Sequence, residues 1–541
     1  MPIAPDMIIV NAHIPTAPGE PTALAIGHGR LLDLGTDSEM RSLAGSDTEI
    51  VDAHGSILLP GLIDAHNHLL MTGQILQQVQ LYDCRSIADI QRKIADAVTS
   101  AEPDAWIIGR GWDESLLSDG RHPTRQDLDA VAPNHPVVIH RVWNRLVANS
   151  RAMAMAGITR ATPDPDPNQP YAGGFERESD GNPTGLFRDR AKELITSVIP
   201  EPTLPDLVRA IGAACREYNR LGITAVSEPG LSPIQIRAFQ EAARTGLLTV
   251  RTAMSISGWG FGTAADDALI RNRLTEMGIN GGFGDDLLWI NGVKLMPDGG
   301  VGDRTARMYA GYVDEPDNHG AWTVPPDEVV QHIRWAHDNG FAMDIHTCGD
   351  EAQEICITAF ADAQSANPQP HLRHRVHHAY LPTAQTLDLM ARHQFAAAVS
   401  NPFLWSLGES YRLSIGDDRA SRMMPMRTYL NHGVPLAGSS DSPVATHNPW
   451  IGFAAAIDRT TVKGTVLGAD ECLTSDEALA MYTTGGAFVL NRGPITGTIE
   501  PGAVADLIMV DRDPRTLTSA ELHSFSPQAT MVNGTWVYTA G

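Results

Sequence analysis

The chain has 541 residues, the length of two to four ordinary domains or of one α/β barrel with additions. Apolar residues make up 43% and charged residues 19%, which excludes a wholly disordered chain. A formal net charge of −24 argues against nucleic acid and anionic membrane as partners.

The chain opens without Lys or Arg ahead of its first apolar stretch, and Asp6 interrupts that stretch, unlike a secretory signal. No run approaches 18 apolar residues, and the five cysteines include no CxxC pair. The expected setting is soluble and cytoplasmic, without a disulfide framework. Only four lysines stand in the sequence (Lys93, Lys192, Lys294 and Lys463), against 36 arginines. Codon bias in a GC-rich genome explains that ratio, but each lysine that remains invites inspection.

Residues 7–53 read as short strands between Gly, Pro and Asp turns, and the stretch after Pro494 reads the same way. These two ends, residues 1–58 and 488–541, are expected to build one small β-sandwich. Between them, apolar runs alternate with helical stretches, the pattern of repeated βα units. The strand candidates are ILLPGLIDAH from 57, GITAVSEP from 222, LTVRTAMSI from 248, LWINGVKLM from 288, AMDIHTC from 342, RVHHAY from 375, AAAVSN from 396 and PLAGSSD from 435. Helices are expected at 205–222 and 326–340, each opening on Pro-Asp and ending on Gly. The fold class is therefore α/β, a distorted (β/α)8 TIM barrel over residues 59–487. Residues from about 80 to 205 break the rhythm and read as an insertion after the first strand, over the barrel mouth.

Polar residues gather at the C-terminal ends of these strands, where barrel active sites lie. The first strand ends in Asp64-Ala65-His66-Asn67-His68. Strand residues two apart face one side, so His66 and His68 are able to share a metal ion. The fourth strand carries Lys294, a costly charge in an apolar run. It snorkels from the strand end, pairs with Asp298, or loses its proton and reacts with carbon dioxide to give a carbamate whose oxygens bridge two metals. The fifth strand ends at His346, the sixth offers His374, His377 and His378, and the eighth ends at Asp441. Alternation sets His374 and His378 on one face and His377 on the other, without saying which face looks inward.

Taken together, PGLIDAHNH, GRGWDES, NGVKLMPDGGVGDRTARM, DIHTCGDEA, RHRVHHA, GSSDSPV and GTIEPGAVADLIMVDRDP resemble the amidohydrolase superfamily. Within it they are most similar to the YtcJ-like branch, amidohydrolase family 3, which includes N-substituted formamide deformylase. The resemblance implies that His66, His68 and Asp441 hold one divalent ion, and that Lys294, carboxylated by carbon dioxide, bridges to a second held by His346 and His378. Zinc is the expected ion, one or two per chain, although manganese, iron or cobalt also suits such donors. His377 stands where the family usually has Glu, and Asn401-Pro402 replaces a more usual Gln-Pro. Asn144 stands where relatives often have His, five residues before the matching Asn149-Ser150 pair.

The implied activity is hydrolysis of a non-peptide C–N bond in a small molecule (amide, N-substituted formamide, carbamate or urea) by water activated on the metal. Asp441 serves as proton acceptor and donor. Trp112, Asp113, Glu114, Asp298, Asp303, Arg304, His377 and Asn401 are the expected pocket residues. Arg304 either clamps a substrate carboxylate or pairs internally with Asp298 or Asp303. The alternatives are a mononuclear deaminase or cyclic-amide hydrolase on the same scaffold, which would not need Lys294, and a metal-free binding protein. The filled ligand positions weigh against the last. Family members often pair as homodimers.

Overall fold

Eight parallel strands follow one another in sequence order around a single sheet. They are β1 (Leu62–Asp64), β2 (Ile223–Leu231), β3 (Arg251–Ser257), β4 (Leu288–Leu295), β5 (Ala342–Thr347), β6 (Arg375–His378), β7 (Ala396–Val399) and β8 (Leu436–Gly438). The computed structural model describes residues 4–141, 145–166, 173–258, 264–493 and 495–541. Each expected strand segment contributes one of the eight. The ring is drawn together between β8 and β1 by three backbone hydrogen bonds beyond the regular ladder. Ala65 N donates to Gly438 O at 3.0 Å, Asp441 N to His66 O at 2.8 Å, and His68 N to Ser442 O at 2.9 Å.

The strands are buried nearly throughout because both faces of a parallel barrel are covered. Ile63, Ala65, Ala225, Ala253, Ala396, Ala398 and Ala437 share one core cluster with Trp289, small side chains leaving room for the indole. The helix Pro326–Asp338 ends as expected, with Gly340 at φ 75°, a backbone region that costs glycine little.

The first apolar run is divided between two sheets. Ile57–Pro60 pairs antiparallel with Leu507–Val510, whereas Leu62–Asp64 joins β2. Gly61 marks the division: a Cβ there would meet Thr224 at 2.3 Å, so the chain passes the barrel wall only without a side chain. The run read from the sequence as one strand is thus a strand of the terminal sheet followed by a short barrel strand.

Residues from both chain ends form two four-stranded sheets. One has the order Arg30–Gly35, Ala23–Gly27, Met7–Val10, Glu49–Asp52; the other Thr535–Thr539, Ala529–Val532, Leu507–Val510, Ile57–Pro60. Ile9, Leu24, Ile26, Leu58, Leu507 and Met531 belong to one core cluster that draws on both sheets. Arg251 at the start of β3 forks onto Asp506 with 2.6 and 2.9 Å hydrogen bonds, a buried ion pair between barrel and terminal sheet.

The chain divides into two compact units, residues 1–72 with 214–541, and residues 73–213. The second holds a six-stranded sheet whose central strands are Arg145–Ala148, Val137–His140 and Ile107–Arg110. Asn149 caps the helix Ser150–Met155 and also accepts from Val137 N, so its amide secures this unit locally. Asn144 lies outside the described residues. Among those described, no helix is long and apolar enough to cross a membrane.

Candidate metal centre

The ends of β1 and β8 bring His66, His68 and Asp441 together. His66 Nε2 lies 3.1 Å and His68 Nε2 3.3 Å from the same oxygen, Asp441 Oδ1. Donors sharing one ion at 2.0–2.2 Å are separated by roughly 3.4 Å in tetrahedral geometry. Asp441 reaches this position with φ 52°, a turn out of strand geometry three residues after β8. His66 is almost wholly buried and its Nδ1 has no hydrogen-bond partner.

Burial, reinforced by the Lys294 charge, lowers the His66 imidazole to about 4 and His346 to about 3. Burial alone would raise Asp441, but His66 and His68 hold it well below the usual carboxylate range. His66 and His346 are therefore neutral imidazoles and Asp441 an ionised carboxylate, the protonation state in which such side chains accept a cation.

Asp64 braces this arrangement. Its carboxylate accepts from Ser440 N at 2.9 Å, Ser440 Oγ at 2.6 Å and Asn67 Nδ2 at 2.8 Å, tying the β1 end to the β8 end. Tyr218 OH donates to Asn67 Oδ1 at 2.6 Å from the helix Leu204–Arg220. Burial raises the Asp64 carboxyl to about 6.

Lys294 is buried in β4, where desolvation lowers its amine to about 8. Register sets it beside Asp344 of β5, and Asp344 beside Arg375 of β6. Asp344 accepts from Arg375 Nη2 at 2.8 Å and from Ser255 Oγ at 2.6 Å. The carboxylate nearest Lys294 by register is thus Asp344, not Asp298 as the sequence suggested. Asp344 and Arg375 are the residues that sequence reading passed over. The available signal was a charge two positions before His346, on the same strand face.

The sixth strand corrects the alternation argument. His377 and His378 both enter the cluster, while His374 stays out of it. The His377 ring lies against His66 with centroids 3.9 Å apart and planes inclined at 34°, and its Nε2 faces Asp344. His378 adopts φ 67° and Ala379 φ 49°, so the strand ends at His378 and period-two facing no longer applies there. His378 Nδ1 meets Ser400 Oγ at 3.1 Å, and its ring lies 4.5 Å from that of His346. His374 instead accepts Met343 N on Nδ1 at 2.9 Å and pairs with His337 at 2.8 Å, against Phe360 and Phe395.

His346, Cys348 and His378 form a second group of donors whose ligand atoms lie within 4.8 Å of one another, as do those of His66, His68 and Asp441. Cys348 was seen in the sequence only as one of five cysteines. Asp298 is fully buried beside this group, accepting Arg307 N, Cys348 N and Gly349 N at 3.0, 3.2 and 2.8 Å. Burial raises its carboxyl to about 7.

Several of the other expected pocket residues have partners of their own. Arg304 pairs with Asp314 and, at 2.8 Å, with Glu315, rather than with Asp298 or Asp303. Asn401 uses both amide ends in the barrel wall, donating to Gly452 O at 2.6 Å and accepting from Tyr482 OH at 3.1 Å. Trp112 is fully buried in the core of the 73–213 unit, with Nε1 donating to Ile139 O at 3.3 Å. In the same unit Arg141 bridges Asp113 and Glu114. A cavity of about 590 Å³ in that unit, lined by Gln74, Pro103, Trp106 and Pro200 among others, contains none of the cluster residues.

Two groups of nitrogen, oxygen and sulfur donors suit divalent transition ions. Residues 49–538 match the amidohydrolase family. The chain belongs to that family, and is a hydrolase of the class that acts on carbon–nitrogen bonds other than peptide bonds. It is 27% identical to a putative amidohydrolase YtcJ of Bacillus subtilis, over 95% of this chain and 96% of that one. It is also 27% identical to N-substituted formamide deformylase of Arthrobacter pascens, over 98% of each. An uncharacterized metal-dependent hydrolase from Pyrococcus furiosus superposes with a TM-score of 0.77 at 27% identity, covering 94% of this chain and all of that one.

Proposed function

We propose that this hydrolase cleaves a non-peptide C–N bond of a small molecule (an amide, N-substituted formamide, carbamate or urea) at the centre built by His66, His68, Lys294, His346, His378 and Asp441. The observation that carries the reading is the convergence of His66 Nε2 and His68 Nε2 on Asp441 Oδ1. Zinc is the ion proposed. When bound, it supplies Lewis acidity, polarising a carbonyl and acidifying water.

The protein's own part follows from its side chains. Asp441 Oδ1 faces both imidazoles, which leaves Oδ2 to take a proton from the attacking water and return it to the departing nitrogen. Ser400 occupies His378 Nδ1 and so directs Nε2 toward the cluster. The Lys294 amine, lowered toward neutrality, forms an N–C bond with carbon dioxide and loses one proton to solvent, yielding a carbamate with two donor oxygens. The formamide deformylase relative supports the choice of bond.

The test is metal analysis of protein purified without added metal, followed by a panel of amides, formamides, carbamates and ureas with and without chelator. Bound transition metal and chelator-sensitive hydrolysis are expected. Asp441→Asn should lower kcat by roughly 10²–10⁴. Metal-free protein whose hydrolysis ignores the chelator would overturn the reading.

A further inference from the structure

Within the cluster, Cys348 has a place that the proposed ligand set does not use. Its Sγ lies 3.4 Å from His346 Nε2 and is buried. A sulfur at 2.3 Å and a nitrogen at 2.0–2.1 Å from one tetrahedral ion stand about 3.6 Å apart. Two constraints hold the thiol there. Cys348 follows β5 directly, and the Asp298 carboxylate fastens the turn by accepting both Cys348 N and Gly349 N. The side chain is thereby aimed at the space that His346 and His378 share.

We propose that Cys348 is a metal ligand, so that His346, Cys348 and His378 form a two-histidine, one-cysteine site for the second ion. The inference rests on the metal-centre reading above and deepens it. On binding, the Cys348 S–H bond breaks, a metal–sulfur bond forms, and one proton leaves to solvent per ion bound. A thiolate donor favours zinc and cobalt over the harder magnesium and manganese. The competing role is a space-filling thiol that merely contacts the His346 ring, whose Nε2 also lies 3.1 Å from Gly299 O.

Cobalt-loaded protein separates the two roles by spectroscopy. A thiolate ligand gives a near-ultraviolet sulfur-to-cobalt charge-transfer band beside the visible ligand-field bands. Wild type should show both, and Cys348→Ala should keep the visible bands and lose the charge-transfer band. Ligand-field bands without charge transfer in wild type, or charge transfer that survives in Cys348→Ala, would overturn the proposal. Should the variant not fold, X-ray absorption on zinc-loaded wild type decides: a sulfur shell at about 2.3 Å supports it, and a shell of nitrogen and oxygen alone overturns it. Metal uptake with hydrolysis but no sulfur ligand defeats this inference alone. A failure to take up any metal defeats the functional reading as well.

Discussion

Asp64 and Ser440, separated by 376 positions in the chain, hold the two ends of the barrel seam together: Ser440 donates to the Asp64 carboxylate from both its amide and its hydroxyl, at 2.9 and 2.6 Å. The same hydroxyl accepts from Asn67 Nδ2 and from Ser442 N at 2.9 and 3.0 Å. These contacts fix the backbones that carry His66, His68 and Asp441. If the proposed metal centre holds, Ser440→Ala should weaken metal binding about 10- to 100-fold, as loss of such supporting hydrogen bonds does elsewhere. The stability cost should be about 1–3 kcal/mol. Chelator-competition titration reads the first quantity and urea unfolding the second; unchanged metal affinity would show that the seam is structural only.

Under the proposed function, Lys294 is the residue that distinguishes a two-ion centre from a one-ion centre. Lys294→Ala should abolish hydrolysis and lower the metal content toward one ion per chain. Partial recovery is expected on adding a short carboxylate, which supplies the missing oxygens. Incubation of wild type with ¹³C-labelled bicarbonate should give a carbamate carbon resonance absent from the variant. Full activity in Lys294→Ala would favour the mononuclear deaminase or cyclic-amide hydrolase reading instead.

The Arg251–Asp506 pair is buried on both sides, so removing one partner strands a charge. Asp506→Ala should destabilise the fold by about 3–5 kcal/mol, whereas a paired apolar replacement of both residues should restore most of the loss. Urea unfolding of the two single variants and the double variant gives the comparison. Similar losses in all three would mean that packing, not the stranded charge, sets the cost.

His374 makes stability pH-dependent. Burial lowers its imidazole to about 3, and the neighbouring His337 and Arg375 push the same way. In the unfolded chain histidine titrates near 6.5. Between about pH 6.5 and 3 the unfolded state therefore binds more protons, so stability falls as pH falls through that window and is unaffected by this group above it. His374→Gln keeps an acceptor for Met343 N and should show a smaller decline in urea midpoint between pH 7 and 4 than wild type. Equal slopes would assign the acid sensitivity to other groups.

Barrel strands were legible because a parallel strand covered on both faces leaves a largely apolar run, such as Ala396–Val399. His66, His68, Lys294, His346 and Asp441 were legible for a related reason. Polar side chains at the C-terminal ends of such runs have few uses other than a site. Trp112, Arg304 and Asn401 were equally visible, but nothing local showed that an indole would fill a core or that Arg304 would find Asp314 and Glu315.

The sequence by itself determined which segments become barrel strands and which chemistry their ends carry, because both follow from side-chain type and spacing along one strand. Tertiary structure alone decided what depends on backbone angles and on partners far away in the chain. The left-handed turn at His378 brings His377 and His378 into one cluster where alternation would part them. Gly61 splits one apolar run between two sheets because Thr224 of β2 stands against it. Asp344 beside Lys294, Cys348 beside His346, and Asp64 bound to Ser440 are contacts set by barrel register and closure, which no spacing within a single segment encodes.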